Sequence, residues 1–181
     1  MKTLVLVFHP DLIASRANRR LTEEIERQAN VTVHRVYEAY PDERIDVTAE
    51  QRLLEKHDRI VLQFPFYWYS TPPLLKKWED AVLSYGWAFG SKGDKLHGKE
   101  LLIAVSTGAT KENYSPAGNF KYTVQELLRP LEATSNLIGT SYLTPYILYG
   151  VNQQSDEQLE QSAKGYVAHV LNSELEPLVV G

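Results

Sequence analysis

Three short apolar runs constrain this chain more than anything else in it: Thr3-Leu4-Val5-Leu6-Val7-Phe8, Ile60-Val61-Leu62 and Leu101-Leu102-Ile103-Ala104-Val105. They are near-continuous rather than alternating, which is the pattern of strands buried on both faces. Such strands need helices above and below them, and helical signals fall between the runs. Ser15 is a good N-cap ahead of Leu21 and Ile25. Pro73 opens a segment with Leu74, Leu75, Trp78, Ala81 and Val82 on one face. Thr48-Ala49-Glu50-Gln51 and Ser155-Asp156-Glu157-Gln158 both read as capping boxes. The first starts a short helix through Leu53 and Leu54, the second a long one with Leu159, Ala163, Tyr166 and Val170 on its inner face. Val124, Leu127, Leu128 and Leu131 keep helical spacing, but Pro130 divides them into two short helices, the second ending near Gly139.

Val31 to Val36 is β-branched but more polar, as suits an edge strand, and Thr140 to Leu148 holds a fifth strand. Strands alternating with helices predict an open parallel α/β sheet with right-handed crossovers. A polar second strand at the edge favours the order 2-1-3-4-5, a flavodoxin-like three-layer sandwich, over the Rossmann order. Residues 1–181 are expected to form a single domain with a tail frayed from about 174.

Composition narrows the function classes. With no cysteine, disulfides, thiolate nucleophiles and cysteine metal ligands are all excluded. The five histidines form no ligand-spaced pair, so no metal site is expected. A net charge of −4 argues against a nucleic-acid binder. No run is long enough to cross a bilayer and no signal-peptide pattern opens the chain, so the expected location is cytoplasmic.

Ligands in such a sheet bind beyond the carboxyl ends of strands one, three and four. The loop after the first strand runs His9-Pro10-Asp11-Leu12-Ile13-Ala14 into the N-terminus of a helix bearing Ser15, Arg16, Ala17 and Asn18. Free amides and the positive dipole end there suit a phosphate, though an ordinary N-cap reads the same way. The loop after the third strand is Pro65-Phe66-Tyr67-Trp68-Tyr69-Ser70-Thr71-Pro72, aromatic where loops are usually polar. Such rings stack on a flat ligand, or simply cover the core. The loop after the fourth strand, Ser106-Thr107-Gly108-Ala109, is small enough for a ring to approach its backbone. Together the three loops suit a phosphate-tailed planar cofactor, a flavin.

These residues also carry a resemblance. His9-Pro10 with Ser15 to Asn18, Tyr40-Pro41-Asp42 with Ile45-Asp46, Gln63 to Trp78, Gly86 to Gly90, Leu96 to Lys99 and Ser106 to Gly108 are similar to the NAD(P)H:quinone oxidoreductase family. The closest branch contains ancillary subunits of glutathione-gated potassium efflux systems. The resemblance implies FMN or FAD held by His9, Ser15, Arg16, Ala17, Asn18, Phe66, Tyr67, Trp68, Tyr69, Ser106, Thr107, Gly108 and Ala109, with NAD(P)H as co-substrate. It implies two-electron reduction of quinones, with Tyr114 matching a tyrosine that stabilises charge as hydride moves. The histidine partnered with that tyrosine in the animal enzymes falls near Phe120 here and is absent. A homodimer is also implied, with Trp87 and Phe89 as candidates to reach across or to pack locally. The alternative is a regulatory subunit that binds a potassium-efflux antiporter at the inner face of the membrane, with turnover secondary.

Overall fold

The computed structural model describes residues 1–178. The sheet has the order β2-β1-β3-β4-β5, built from β1 (Thr3–Val7), β2 (Val31–Arg35), β3 (Arg59–Pro65), β4 (Glu100–Ser106) and β5 (Ser141–Tyr142). A further strand, β6 (Tyr146–Leu148), also pairs with β4, and every pairing is parallel. All five residues of β1 are buried, whereas β2 is half-exposed at the edge.

The period of two along the central strands sorts their side chains into two cores. Leu4, Leu6, Ile60, Leu62, Leu101 and Ile103 face α3 (Val47–Glu55), α4 (Pro73–Val82) and α6 (Arg129–Ile138). Val5, Val7, Val61, Leu102 and Ala104 face α1 (Arg16–Glu26) and α7 (Asp156–Val170). Two short helices complete the set, α2 (Val36–Ala39) and α5 (Val124–Leu127). Arg59, fully buried at the amino end of β3, donates to Glu100 and to the carbonyls of Val170 and Asn172, closing the C-terminus of α7.

Several boundaries differ from expectation. The cap of α3 is Asp46, whose carboxylate accepts from the Ala49 amide at 3.0 Å, and not Thr48. Glu50 cannot close a capping box because its carboxylate is buried against other elements. The expected fifth strand is split. Its first part pairs with Glu100 and Leu101, its second with Ala104 to Ser106. Pro145 lies in the gap, and its missing N–H breaks the ladder there. The tail is not frayed where it is described: Pro177 bridges antiparallel to Leu143, and the Leu178 amide donates to the Tyr142 carbonyl at 2.7 Å. Residues 179–181 of that tail lie outside the described residues. The remaining caps form as expected, including the reciprocal box of Ser155 and Gln158.

Candidate functional site

The sheet order brings the carboxyl ends of β1, β3 and β4 side by side. Phe8 donates its amide to the Gln63 carbonyl and Phe66 its amide to the Ser106 carbonyl, so the three exits stay in register. Above them opens a cleft of about 330 Å³, lined by His9, Ala14 to Asn18, Pro65, Phe66, Ser106, Gly108, Val151 and Asn152.

Buried polar contacts fix its floor. The Asn18 amide group donates to Ser106 Oγ at 2.9 Å. Gln63, fully buried, donates to the Asn18 carbonyl and to Thr22 Oγ1, and accepts from the Tyr166 hydroxyl at 2.9 Å. The start of α1 is thereby tied to β3, β4 and α7. Asn18 therefore holds the floor together; it is 3% exposed and its side chain is already engaged.

At the start of α1 the Ser15 hydroxyl accepts from the Asn18 amide at 3.1 Å, which is ordinary capping. The amides of Arg16 and Ala17 find no partner among the described residues, as expected for a first helical turn. Those two donors, the dipole and the hydroxyl make an anion-binding end. Arg16 is half-exposed and reaches to the Asp156 carboxylate at 2.7 Å and the Gln154 carbonyl at 3.2 Å. It lines the cleft while being anchored to the start of α7.

His9 is half-buried. Burial lowers its pKa, against the raising effect of Asp11's charge. Its Nδ1 accepts from the Asp11 amide at 3.1 Å. The neutral ring therefore carries its proton on Nε2, an uncharged donor beside the helix end.

The aromatic loop is a tight turn. Tyr67 and Ser70 exchange both backbone hydrogen bonds, at 3.0 and 3.1 Å, and Trp68 and Tyr69 between them have φ of 49° and 63°. Two bulky residues in the left-handed region form a type I′ turn without glycine, at a cost on the order of 1–3 kcal/mol each. The amides of Trp68 and Tyr69 have no partner among the described residues, and Trp68 is 91% exposed. Of the four aromatic residues only Phe66 lines the cleft; Tyr67, Trp68 and Tyr69 form the turn beyond it.

In the third loop two of the four residues singled out in the sequence reach the cleft. Ser106 and Gly108 line the cleft. Thr107 turns inward, its hydroxyl donating to the Ala109 carbonyl at 2.8 Å and its amide to the Leu148 carbonyl. Ala109 packs on the core and accepts from the Gly150 amide. A Cβ at Gly108 would lie 3.0 Å from Asn152 Nδ2, so any larger residue would press the Asn152 side chain aside. Val151 and Asn152 were missed by the sequence reading, which considered the ends of strands one, three and four only. The segment Gly150-Val151-Asn152 leaves β6 beside β4, and that adjacency was the available signal.

Tyr114 does not line the cleft. It is 7% exposed and sits behind Phe66, with ring centroids 6.2 Å apart, in a cluster with Phe120 and Tyr149. Burial raises its phenol pKa, and Tyr69 and Tyr149 add to the rise. Trp87 is engaged locally, its Nε1 donating to Glu55 at 2.9 Å, whereas Phe89 lines a second depression.

That depression, a groove of about 410 Å³ between α4 and α6, shares Phe66 with the cleft. It is mostly apolar, walled by Leu83, Leu127, Leu131 and Ile138, and lacks the convergent donors of the strand-end cleft. Its half-buried carboxyl is Glu79, whose pKa is raised from 4.5 to about 7; burial is the cause, with Lys76 opposing and Asp80 adding to it. Among the described residues no group of three or more histidines or carboxylates is placed to hold a metal ion. No helix among them is long and apolar enough to cross a membrane.

Comparison with known proteins places the chain among relatives. The model of a family described as flavodoxin-like fold matches residues 1–170. General stress protein 14 of Bacillus subtilis is 55% identical over 170 residues, 94% of this chain and 97% of that protein. The uncharacterized NAD(P)H oxidoreductase YdeQ of the same organism is 47% identical, over 99% of this chain and 91% of its own length. The potassium-efflux ancillary protein KefG of Pectobacterium carotovorum is 42% identical, over 91% of this chain and 90% of its own. Among solved structures, a chain described as a thermophilic tryptophan halogenase superposes with a TM-score of 0.92 at 51% identity, over 94% of this chain and 99% of its own. General stress protein 14 of Treponema denticola, in complex with FMN, has a TM-score of 0.89 at 40% identity, covering 93% and 97%. An NADPH-quinone reductase from P. pentosaceus has 0.87 at 35%, covering 95% and 99%.

Glu79 gives a pH test of the groove. Its folded pKa lies above the unfolded value, so stability is fullest below about pH 4.5 and falls as pH rises to about 7. Glu79→Gln is expected to raise unfolding free energy at pH 8 by roughly 2–3 kcal/mol and to leave it unchanged at pH 4.5, as read by denaturant titration. Equal stability of the two proteins at pH 8 would show that the carboxyl is solvated.

Proposed function

This chain belongs to the flavodoxin-like-fold family, and from that premise we propose that it is an FMN-dependent NAD(P)H oxidoreductase that reduces quinones by two electrons. One observation carries the reading: the cleft joins an anion-binding helix end to the Phe66 ring where the parallel strands end. The relatives described as an FMN complex, an NAD(P)H oxidoreductase and an NADPH-quinone reductase support it. From the chain described as a halogenase only the scaffold is taken, because those three agree on flavin and nicotinamide redox chemistry.

The residues fit the cofactor. The amides of Arg16 and Ala17, with Ser15 and the Nε2 proton of His9, would hold the phosphate. The Arg16 guanidinium, anchored by Asp156, adds positive charge to that end. Phe66 offers an apolar face, and the Trp68 and Tyr69 amides are free for the polar edge of a ring. Ser106 and Gly108 border the other side. Thr107, Ala109 and Asn18 act one step back, holding the loops that touch the ligand. Bound FMN supplies hydride acceptance from NAD(P)H and two-electron donation to a quinone.

We further propose a homodimer in the cytoplasm, formed through the groove between α4 and α6, with Phe89 on the contact face. The likeness to KefG proteins supports a second reading, docking on a potassium-efflux antiporter, and it is more distant than the oxidoreductase relatives. Co-purification with a membrane antiporter without quinone turnover would favour that reading.

The purified protein is expected to be yellow after FMN loading and to bleach with NAD(P)H under anaerobic conditions, regaining colour on addition of a quinone. Colourless protein at saturating FMN would remove the proposal. Arg16→Ala should raise the FMN dissociation constant, by roughly 1.5–3 kcal/mol, while flavin-loaded enzyme turns over nearly as before, because a phosphate contact is equal in ground and transition states. An unchanged constant would remove the Arg16 guanidinium from the phosphate site. Because Tyr114 packs behind Phe66 and not in the cleft, Tyr114→Phe should leave flavin reduction near the wild-type rate with FMN binding intact. A reduction slowed about tenfold in stopped flow would instead give its hydroxyl a part in stabilising charge as hydride moves.

A further inference from the structure

The segment after β2 lines neither the cleft nor the groove, yet a buried polar cluster gathers beneath it. Glu50 of α3 is 2% exposed and accepts three hydrogen bonds. His34 Nε2 of β2 and the Tyr40 hydroxyl donate to Oε1 at 2.8 and 2.7 Å, and Trp78 Nε1 of α4 donates to Oε2 at 2.8 Å. Burial raises the carboxyl's pKa, but the bonds from His34, Tyr40 and Trp78 outweigh it, and the net shift is downward. The group is an ionised carboxylate inside the protein. A buried carboxylate of this kind is no better for stability than apolar packing of the same volume. What it does provide is geometry: one acceptor fixes β2, the 37–46 segment, α3 and α4 together.

Two contacts lead from α4 toward the cleft, one from this cluster and one beside it. The Trp78 ring meets Phe8 edge-on, with centroids 5.7 Å apart, and Phe8 immediately precedes His9. Tyr37 holds the other side. Its hydroxyl accepts from the Leu74 amide at 3.2 Å, in the first turn of α4, just past the end of the aromatic loop. Burial raises the Tyr37 phenol, the Leu74 amide lowers it, and the charges of Tyr67 and Glu43 raise it further. The turn itself carries two left-handed aromatic residues, a conformation that lasts only where the surroundings enforce it.

We propose that Glu50 and Tyr37 are positioning residues for the flavin site: by anchoring α4, Glu50 at Trp78 and Tyr37 at Leu74 in its first turn, they hold the Phe66 to Ser70 turn that leads into it in the strained form that presents its free amides and the Phe66 face to the ring. This rests on the FMN reading above. Neither residue touches the cofactor. Their effect is on how well the aromatic wall is preorganised.

The test uses FMN-loaded protein and two variants. Tyr37→Phe removes one oxygen and keeps the ring; Glu50→Gln keeps the shape but replaces an oxygen acceptor with an amide donor. For Tyr37→Phe the expected result is a three- to tenfold rise in the FMN dissociation constant. The rate of flavin reduction at saturating NAD(P)H should fall by at least threefold with the KM for NAD(P)H little changed, and the visible flavin band should shift. Glu50→Gln should move the same quantities further in the same direction, and where it does not fold, Tyr37→Phe decides alone. A Tyr37→Phe protein with wild-type FMN affinity, reduction rate and spectrum overturns the inference, even if its melting temperature falls, because that outcome marks a purely structural bond. Failure of the wild-type protein to bind FMN would instead overturn the functional reading, and this inference with it.

Discussion

The hydrogen-bonded path Tyr166–Gln63–Asn18–Ser106 is the contact on which the rest of the site depends. A polar side chain in the middle of a central parallel strand is costly unless every donor and acceptor is met. Gln63 meets that demand by reaching α1 on one side and α7 on the other, and Asn18 passes the connection to the end of β4. The N-terminus of α1 is therefore locked to the strand ends, with its first amides free. Hydrophobic burial brings the helices onto the sheet, but it is non-directional. The polar path sets where the anion-binding helix end sits relative to the aromatic wall.

Beyond that floor, the site is made of backbone more than of side chains. The free amides of Arg16 and Ala17 stand at the cleft, those of Trp68 and Tyr69 in the turn beyond it, and a side chain at 108 would crowd Asn152. Such a site tolerates little variation in backbone path. That explains why so many neighbouring side chains are used on the protein itself: Thr107 on Ala109, Tyr37 on Leu74 and Ser15 on Asn18. Phe66 stands between the cleft and the apolar groove of α4 and α6, so whatever covers the groove packs against the same ring that would face the cofactor.

The sheet order and most helix starts were legible because they rest on local signals. Apolar runs marked the buried strands, a polar β-branched run marked the edge, and Ser15, Pro73, Ser155 and Gly139 marked helix ends. Signals failed where distant partners decided the outcome. Thr48 looked like a cap, but Asp46 stands two residues earlier with an equally good acceptor, and Glu50 was drawn to His34, Tyr40 and Trp78. The cleft could be placed because parallel topology fixes which loops meet. Which residues in each loop face inward was not readable. Thr107 and Ala109 are turned toward β6 and the segment after it, and that same segment brings in Asn152 unannounced. The left-handed turn at Trp68 and Tyr69 had no glycine or asparagine to reveal it.

A crystal structure of the protein grown with FMN tests the central claim most directly. The account predicts the phosphate within hydrogen-bonding distance of the Arg16 and Ala17 amides, and the ring lying along Phe66 with its polar edge toward the Trp68 and Tyr69 amides. FMN bound elsewhere, such as in the groove between α4 and α6, or absent from the cleft at saturating concentration, would contradict it.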